Sequence, residues 1–110
     1  MSTNSKISIK VGTAPKKSVY CHWDGYPSNM LPLLRDNYDT LEKAEELLAL
    51  GDLSYLAAKV KPDAGEAHSY DRPVVGVTVA YHRDRGEKLK FSAGKQQYNY
   101  LFDGTAWNLE

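Results

Sequence analysis

The first third of the chain alternates apolar and polar residues with the period of a β-strand. Residues 6–12 and 18–24 both show this pattern, in which successive side chains point to opposite faces of a strand. The face assigned to the core carries Ile7, Ile9, Val11, Val19, Cys21 and Trp23. The other face of the second strand carries Tyr20, His22 and Asp24. The short loop "GTAPKK" joins the two segments, so they are predicted to form an antiparallel hairpin.

The middle of the chain changes to helical spacing. The first helix is predicted to begin after "GYPS", with Ser28 as the N-cap and Pro32 tolerated in the first turn. A second helix begins at "DTLE", where Asp39 and Glu42 have the spacing of a capping box. Asp52 can then cap one or two further turns through "LSYLAAKV". The pattern therefore predicts three short helices in sequence.

The last third returns to strands after a polar loop. The segment "KPDAGEAHSYDRP" has no periodicity, which predicts a mobile surface loop with a solvated His68. The segment "VVGVTVAYH" (74–82) is the most apolar strand candidate and is predicted to lie centrally in the sheet. A charged turn is predicted at "RDRGEK", and a further short strand near "KLKF". Asp103-Gly104 separates two strand-like runs, which is a strong hairpin signal.

This order of elements predicts an α+β protein. Residues 1–5 are small and polar and are predicted to be disordered, whereas residues 6–110 form a single domain. The sheet is predicted to be antiparallel with about four to five strands, and about two to three short helices pack on one of its faces. The opposite face, which is polar and aromatic, is the predicted functional surface.

Composition and charge exclude several classes of protein. Fourteen Lys and Arg residues balance fourteen Asp and Glu residues, so nucleic-acid binding would need a local patch such as Lys88, Lys90 and Lys95. The single cysteine, Cys21, excludes an internal disulfide and a Cys-rich zinc site. No apolar run suits a signal peptide or a membrane span, which predicts a cytoplasmic protein without a membrane partner. The commonest phosphate-loop and nucleophile motifs are absent, and no cofactor is predicted.

The stretch "SVYCHWDGYPS" (18–28) holds the densest set of candidate functional groups. Cys21 and His22 could form an activated nucleophile, but strand neighbours face opposite sides, which favours a buried, apolar role for Cys21. His22 and Asp24 share a face, and His82 could approach them from a neighbouring strand. These three residues could hold a metal ion or act as acid and base, although each alone more often has a structural role.

Two further features bear on recognition. Arg83 and Arg85 in "HRDRGE" could grip a phosphate or carboxylate, although a solvated turn is the favoured interpretation. The chain also has eight Tyr and two Trp, the residue types that dominate binding hot spots. Some of these rings fill the core, and Trp23 is predicted to be one of them. The strand "TAWNL" is predicted to be an edge strand that can pair with a second copy in a homodimer.

Three segments also carry a resemblance: "SVYCHWDGYPS", "LEKAEELLALGDLSYL" and "TVAYHRDRGE". Together they resemble a group of small proteins encoded by tailed bacteriophages and prophages, and the run Tyr-Cys-His-Trp-Asp-Gly-Tyr-Pro is the most specific part. The likeness covers residues 6–109. It departs at "SNMLPLLRDNY", which replaces a glycine-containing stretch and a histidine. The resemblance implies a phage or prophage origin and action in the bacterial cytoplasm, and it brings no catalytic assignment.

Together these observations favour an interaction protein over an enzyme. Its small size, the absence of enzyme motifs and the phage resemblance imply a host protein as partner, with antiviral defence components as one class. The predicted binding residues are Tyr20, His22, Asp24, Tyr26, His82, Arg83 and Arg85. The alternative is a small enzyme, or a metal- or nucleotide-binding domain, centred on His22, Asp24 and His82.

Overall fold

The computed structural model describes residues 3–91 and 94–110 of the chain. Its strands are β1 (Ser5–Ile9), β2 (Lys17–Cys21), β3 (Leu53–Tyr55), β4 (Val79–Ala80), β5 (Tyr98–Phe102) and β6 (Trp107–Leu109). Its helices are α1 (Pro27–Asn37), α2 (Leu41–Leu48) and α3 (Tyr81–Arg85). Within the two described ranges, every helix is too short or too polar to cross a membrane.

In the described residues, six strands form one mixed sheet in the order β4-β3-β2-β1-β5-β6. The pairs β1/β2, β3/β4 and β5/β6 are antiparallel, whereas β1/β5 and β2/β3 are parallel. Helices α1 and α2 connect β2 to β3, and parallel neighbours need a crossover of this kind. The α+β class is thus confirmed, but the sheet has more strands than the four to five predicted and is not purely antiparallel.

Helices α1 and α2 cover one face of the sheet. Ile7 of β1 lies between Val19 of β2 and Tyr100 of β5 in the strand register. All three side chains are buried in one apolar cluster, to which Leu34 of α1 and Leu47 of α2 also belong. The apolar stripe of each helix therefore meets the apolar face of the sheet, as the two periodicities predict.

Trp107 fixes β6 to the end of α1. Its ring is buried and packs on Phe102, with the ring centroids 5.1 Å apart. Its indole N–H donates to the carbonyl of Tyr38 over 2.7 Å. The Tyr38 hydroxyl in turn donates to the carbonyl of Ala57 over 2.7 Å. Trp107 and Tyr38 thus each bury a large ring and satisfy its polar group.

Both predicted hairpins are confirmed. Strands β1 and β2 pair along their whole length. Strands β5 and β6 are joined by a turn in which Gly104 has a φ of +101°, a conformation that favours glycine. The Asp103 carboxylate accepts hydrogen bonds from the backbone N–H groups of Thr105 and Ala106, which closes the turn. Strand β6 lies at the edge of the sheet, as predicted.

The folded domain begins earlier than the sequence predicts. Ser5 is buried and is the first residue of β1. The carbonyl of Thr3 accepts a hydrogen bond from the N–H of Gly25 over 2.7 Å. Residues 3–5 therefore belong to the domain, because backbone partners hold them in place. Residues 1 and 2, also predicted to be disordered, lie outside the described residues.

Helices α1 and α2 form where helical spacing predicts them, but with different caps. The N-cap of α1 is Tyr26 rather than Ser28, since the proline that follows Tyr26 suits the first helical turn. Pro32 therefore lies inside the helix instead of in its first turn. The N-cap of α2 is Thr40 rather than Asp39, and the Thr40 hydroxyl accepts a backbone hydrogen bond of 3.2 Å.

Residues 53–60 contain a strand where a helix is predicted. Strand β3 pairs in parallel with the end of β2. The N–H of His22 donates to the carbonyl of Leu53 over 3.1 Å, and the N–H of Trp23 donates to that of Ser54 over 2.9 Å. These long-range hydrogen bonds outweigh the local helical pattern, because they satisfy backbone groups at the centre of the sheet.

The apolar segment 74–82 forms an edge strand rather than a central one. Only its residues 79 and 80 belong to β4, which ends the sheet. Val75 is almost fully exposed, and Gly76 turns the chain with a φ of +84°. The predicted turn "RDRGEK" overlaps α3, which ends at Gly86 in the left-handed conformation. The segment "KLKF" (88–91) does not form the further strand.

Replacing Trp107 should destabilise the fold far more than replacing Trp23. Trp107→Ala removes a buried ring, so we expect the free energy of unfolding to fall by about 3–5 kcal/mol. Trp23 is 42% exposed, and Trp23→Ala should cost less than about 1 kcal/mol. Urea unfolding followed by circular dichroism measures both variants. Similar losses in the two variants would contradict the assignment of Trp107 alone to the core.

Candidate functional site

The segment His22–Tyr26, which we call the aromatic turn, leaves the sheet at the end of β2. Strand β2 ends at Cys21, and the next two N–H groups bond to β3 carbonyls. The chain then turns and enters α1, whose N-cap is Tyr26. The backbone at the start of the turn is therefore set by the sheet, and at its end by the helix.

Trp23 and Tyr26 project from the aromatic turn into solvent. Their side chains are 42% and 40% exposed. The prediction that Trp23 shares the buried face of Cys21 is therefore wrong, because strand alternation stops at Cys21. The dipeptide Asp24-Gly25 is itself a common turn signal, and it could have indicated that the strand ends early.

Asp24 adopts a backbone conformation that residues other than glycine seldom use. Its φ is +55°, in the left-handed region. The side-chain amide of Asn29 donates to the carbonyl of Asp24 over 2.8 Å, which holds the turn against α1. Such strained residues persist when the surrounding structure determines them, and they cluster at functional sites.

Gly25 holds the aromatic turn against the sheet. Its N–H donates to the carbonyl of Thr3 over 2.7 Å, and its own carbonyl accepts from the buried Tyr100 hydroxyl over 2.6 Å. A Cβ atom at this position would lie 2.7 Å from the Cβ of Ser5 and 2.8 Å from the carbonyl oxygen of Thr3. Glycine is therefore required here by close packing.

Three rings form a contact series beside the turn. The Tyr20 hydroxyl and His22 Nδ1 share a hydrogen bond of 2.6 Å. The His22 ring meets the Trp23 ring edge-on, with centroids 4.7 Å apart and planes at 84°. Burial raises the pKa of Tyr20, and the neighbouring Cys21 raises it further, so the phenol stays protonated at neutral pH. The series restricts the orientation of the exposed Trp23 ring.

Cys21 is confirmed as a buried residue of the core. Its side chain is fully buried, and Sγ lies 3.6 Å from the carbonyl oxygen of Trp23. Burial raises the pKa of the Cys21 thiol to about 12. Because the thiolate is the reactive form of cysteine, this thiol is unsuited to nucleophilic catalysis.

No hydrogen bond, ion pair or ring contact joins His22, Asp24 and His82, all of which are described. His82 lies in α3, and its Nδ1 donates to the carbonyl of Glu87 over 2.6 Å. In residues 3–91 and 94–110, no group of three or more His, Cys, Asp or Glu side chains is arranged to hold a metal ion. The geometry thus does not assemble the alternative site.

Arg83 is engaged inside the fold. Its guanidinium donates to the carbonyls of Val60 and Thr78 and to both carboxylate oxygens of Asp84. Asp84 also accepts from the N–H of Ala80 over 2.7 Å. Burial alone would raise the pKa of Asp84, but the hydrogen bonds from Arg83 and from Ala80 lower it. Arg83 therefore stabilises the junction of β4 and α3.

His68 lies within the fold, although the sequence predicts it to be solvated. Its side chain is 2% exposed, and Nδ1 accepts from the N–H of Val74 over 2.9 Å. Nε2 lies 3.3 Å from Asp84 Oδ2. The loop between β3 and β4 is tied to α3 by the N–H of Tyr70, which donates to the carbonyl of Asp84 over 3.0 Å. No local pattern relates positions so far apart in the chain, so the sequence offered no signal for it.

The second face of the sheet is polar, as predicted, and its centre is buried. Strand alternation places Lys6, Ser8 and Asn99 on this face, and all three are buried. The hydroxyls of Ser8 and Ser18 share a hydrogen bond of 2.8 Å across β1 and β2. Trp23 and Tyr26 therefore expose their rings at the end of the sheet, in the aromatic turn, whereas Tyr20 is half-buried on the polar face.

No protein-family model, curated protein or solved structure matches this chain. The function is therefore inferred from the geometry of the site.

Gly25→Ala should destabilise the protein, because the added methyl group would overlap Ser5 and the Thr3 carbonyl. Overpacking of this kind costs about 1–3 kcal/mol. Gly94→Ala is a matched control, since its Cβ would lie 3.9 Å from the nearest atom, in Gln96. We expect this control to change stability by less than about 1 kcal/mol. Thermal unfolding compares the two, and equal stability of Gly25→Ala and wild type would refute the packing argument.

Cys21 should resist alkylation in the native protein, because burial keeps the thiol protonated and out of contact with reagents. We expect mass spectrometry to find no iodoacetamide adduct in native buffer at mildly alkaline pH. The same reagent should label Cys21 rapidly in urea. Rapid labelling of the folded protein would show that the thiol is accessible and would reopen the nucleophile hypothesis.

Proposed function

We propose that this protein is a binding module that recognises another protein through the aromatic turn. Following the resemblance to tailed-phage and prophage proteins, the proposed partner is a host protein in the bacterial cytoplasm, with antiviral defence components as one class. The observation that carries the proposal is the exposure of Trp23 and Tyr26 on a fixed backbone, which donates a hydrogen bond to Thr3 and accepts hydrogen bonds from Asn29 and Tyr100.

The energetics of recognition favour such a surface. Trp and Tyr provide a large rigid area with a polar tip, and they are enriched among residues that dominate binding energy. Ordering a flexible side chain at an interface costs about 0.5–1.5 kcal/mol. The edge-on contact with His22 already restricts Trp23 before any partner arrives. A preordered turn therefore loses less entropy on binding than a mobile loop would.

The two edges of the sheet support recognition by the turn rather than by strand addition. A free edge strand offers unpaired backbone groups to another chain. At the β6 edge, the Arg35 guanidinium donates to the carbonyl of Trp107 over 3.1 Å. At the β4 edge, Arg83 donates to the carbonyl of Thr78 over 2.7 Å. These contacts occupy groups that a second strand would use, which argues against a homodimer through "TAWNL".

The proposed contact surface consists of Tyr20, His22, Trp23, Asp24 and Tyr26. It adds Trp23 to the predicted set and leaves out the three residues near α3. Arg83 is engaged inside the fold. The side chains of His82 and Arg85 each contact Glu87, the first through its carbonyl and the second through its carboxylate.

The variant Trp23→Ala/Tyr26→Ala should lose the partner while remaining folded. Wild-type protein used as bait in bacterial lysate should retain a stoichiometric host protein, which is then purified. Isothermal titration calorimetry with this partner should show binding weaker by at least about 30-fold in the variant, equivalent to about 2 kcal/mol. Circular dichroism and thermal unfolding confirm that the variant is folded.

Phe91→Ala is the matched control, because Phe91 is also an exposed aromatic residue but lies beside Lys17 and Ala49. We expect this variant to bind the partner as tightly as the wild type. Equal binding by the double variant would exclude the aromatic turn as the contact surface. If no protein is retained and the purified wild type carries a small ligand or metal instead, the proposal of a protein-binding module is contradicted.

A further inference from the structure

Lys6 lies on the face of the sheet opposite α1 and α2, with its apolar stem buried and its ammonium group at the surface of the fold. It lies between Tyr20 of β2 and Asn99 of β5 in the register, and it is only 8% exposed. Its ammonium group makes no hydrogen bond or ion pair with any described residue. A lysine that buries its stem and keeps its ammonium group at the surface presents a positive charge to a ligand that lies beside it.

A small cleft lies beside Lys6. Its volume is about 280 Å³, and it is lined by Lys6, Lys95, Asn99 and Glu110. The Lys95 ammonium likewise has no partner among the described residues. Glu110 forms an ion pair with Lys16 at the edge of this region, which neutralises its charge. The cleft is thus locally positive, although the chain as a whole has a formal net charge of zero.

Hydrogen-bond donors also converge on the cleft. The Asn99 amide donates one N–H to the carbonyl of Gln96 over 2.9 Å. A side-chain amide has two N–H donors, and the second has no partner among the described residues. Two ammonium groups and an amide therefore line a space of small-molecule size. This donor set suits an acceptor with several oxygen atoms and more than one negative charge.

We propose that this cleft binds the phosphate group of a small molecule. A phosphate monoester carries about −1.5 to −2 charges near neutral pH and three acceptor oxygens, which match two lysines and an amide N–H. Lysine binds phosphate as a point charge and needs no planar geometry.

The first experiment titrates the folded wild-type protein with inorganic phosphate at constant ionic strength, with chloride as the reference anion. We expect saturable binding of one phosphate per chain and a rise in the unfolding temperature. Adenosine monophosphate and adenosine are titrated in parallel. Tighter binding of the monophosphate than of inorganic phosphate, with no binding of adenosine, identifies a phosphate ester as the ligand. Equal affinities identify free phosphate. No saturable binding of either anion would overturn the proposal.

Single variants locate the site. Lys95→Gln and Lys6→Met should each weaken phosphate binding about tenfold or more, equivalent to about 1.4 kcal/mol or more. Lys61→Gln is the matched control, because Lys61 is exposed beside the opposite edge of the sheet, and it should bind phosphate like the wild type. A similar loss in the control and in Lys95→Gln would show diffuse charge attraction and overturn the proposal.

Stability provides a second readout at Lys6. Met retains the apolar stem of the side chain, which is the buried part of Lys6, so Lys6→Met without phosphate should unfold at about the same temperature as the wild type. Its unfolding temperature should no longer rise when phosphate is added. Should Lys6→Met fail to fold, Lys95→Gln alone decides the outcome, because Lys95 is exposed and makes no contact on which folding depends. An undiminished phosphate response in Lys95→Gln would then refute the site.

Discussion

The parallel pairing between the end of β2 and the start of β3 is the constraint on which the rest of the structure depends. The N–H of Tyr20 donates to the carboxylate of Asp52 over 2.9 Å. Further along the chain, the N–H groups of His22 and Trp23 donate to carbonyls of β3. The Asp52 side chain thus accepts the first hydrogen bond of a ladder that the β3 backbone continues. The same pairing ends β2 at Cys21, and so determines where the aromatic turn begins. It also provides the strand on which β4 and α3 are assembled.

Elements whose partners lie nearby in the chain were predictable from the sequence. The β1/β2 hairpin, the Asp103-Gly104 turn and the two long helices all follow from periodicity and local turn chemistry. Local reasoning failed where distant groups decide the outcome. Residues 53–55 have a helical pattern but complete the β2 ladder. The apolar segment 74–82 does bury Val77 and Val79, yet apolarity alone could not reveal that Gly76 and α3 would limit it to a two-residue edge strand.

The candidate site shows the same division. The sequence located the motif around His22 correctly, because its density of aromatic and polar groups is a local property. It assigned the faces wrongly beyond Cys21, since strand alternation was extended into a turn that only long-range hydrogen bonds define. The buried positions of His68 and of the Lys6 stem were beyond any sequence argument. Both depend on which strands become neighbours, and two of the pairs in this sheet are parallel.

The distribution of backbone strain and blocked edges suggests how the fold supports recognition. The left-handed conformation of Asp24 and the close packing of Gly25 both cost free energy, which is offset by hydrogen bonds to the N-terminal segment, to α1 and to Tyr100. Arg35 and Arg83 occupy carbonyls at the sheet edges, so the proposed recognition would use the aromatic turn, whose fixed backbone limits the entropy lost on binding. Stability and recognition would then depend on the same few contacts, those that fix the backbone between Cys21 and Pro27.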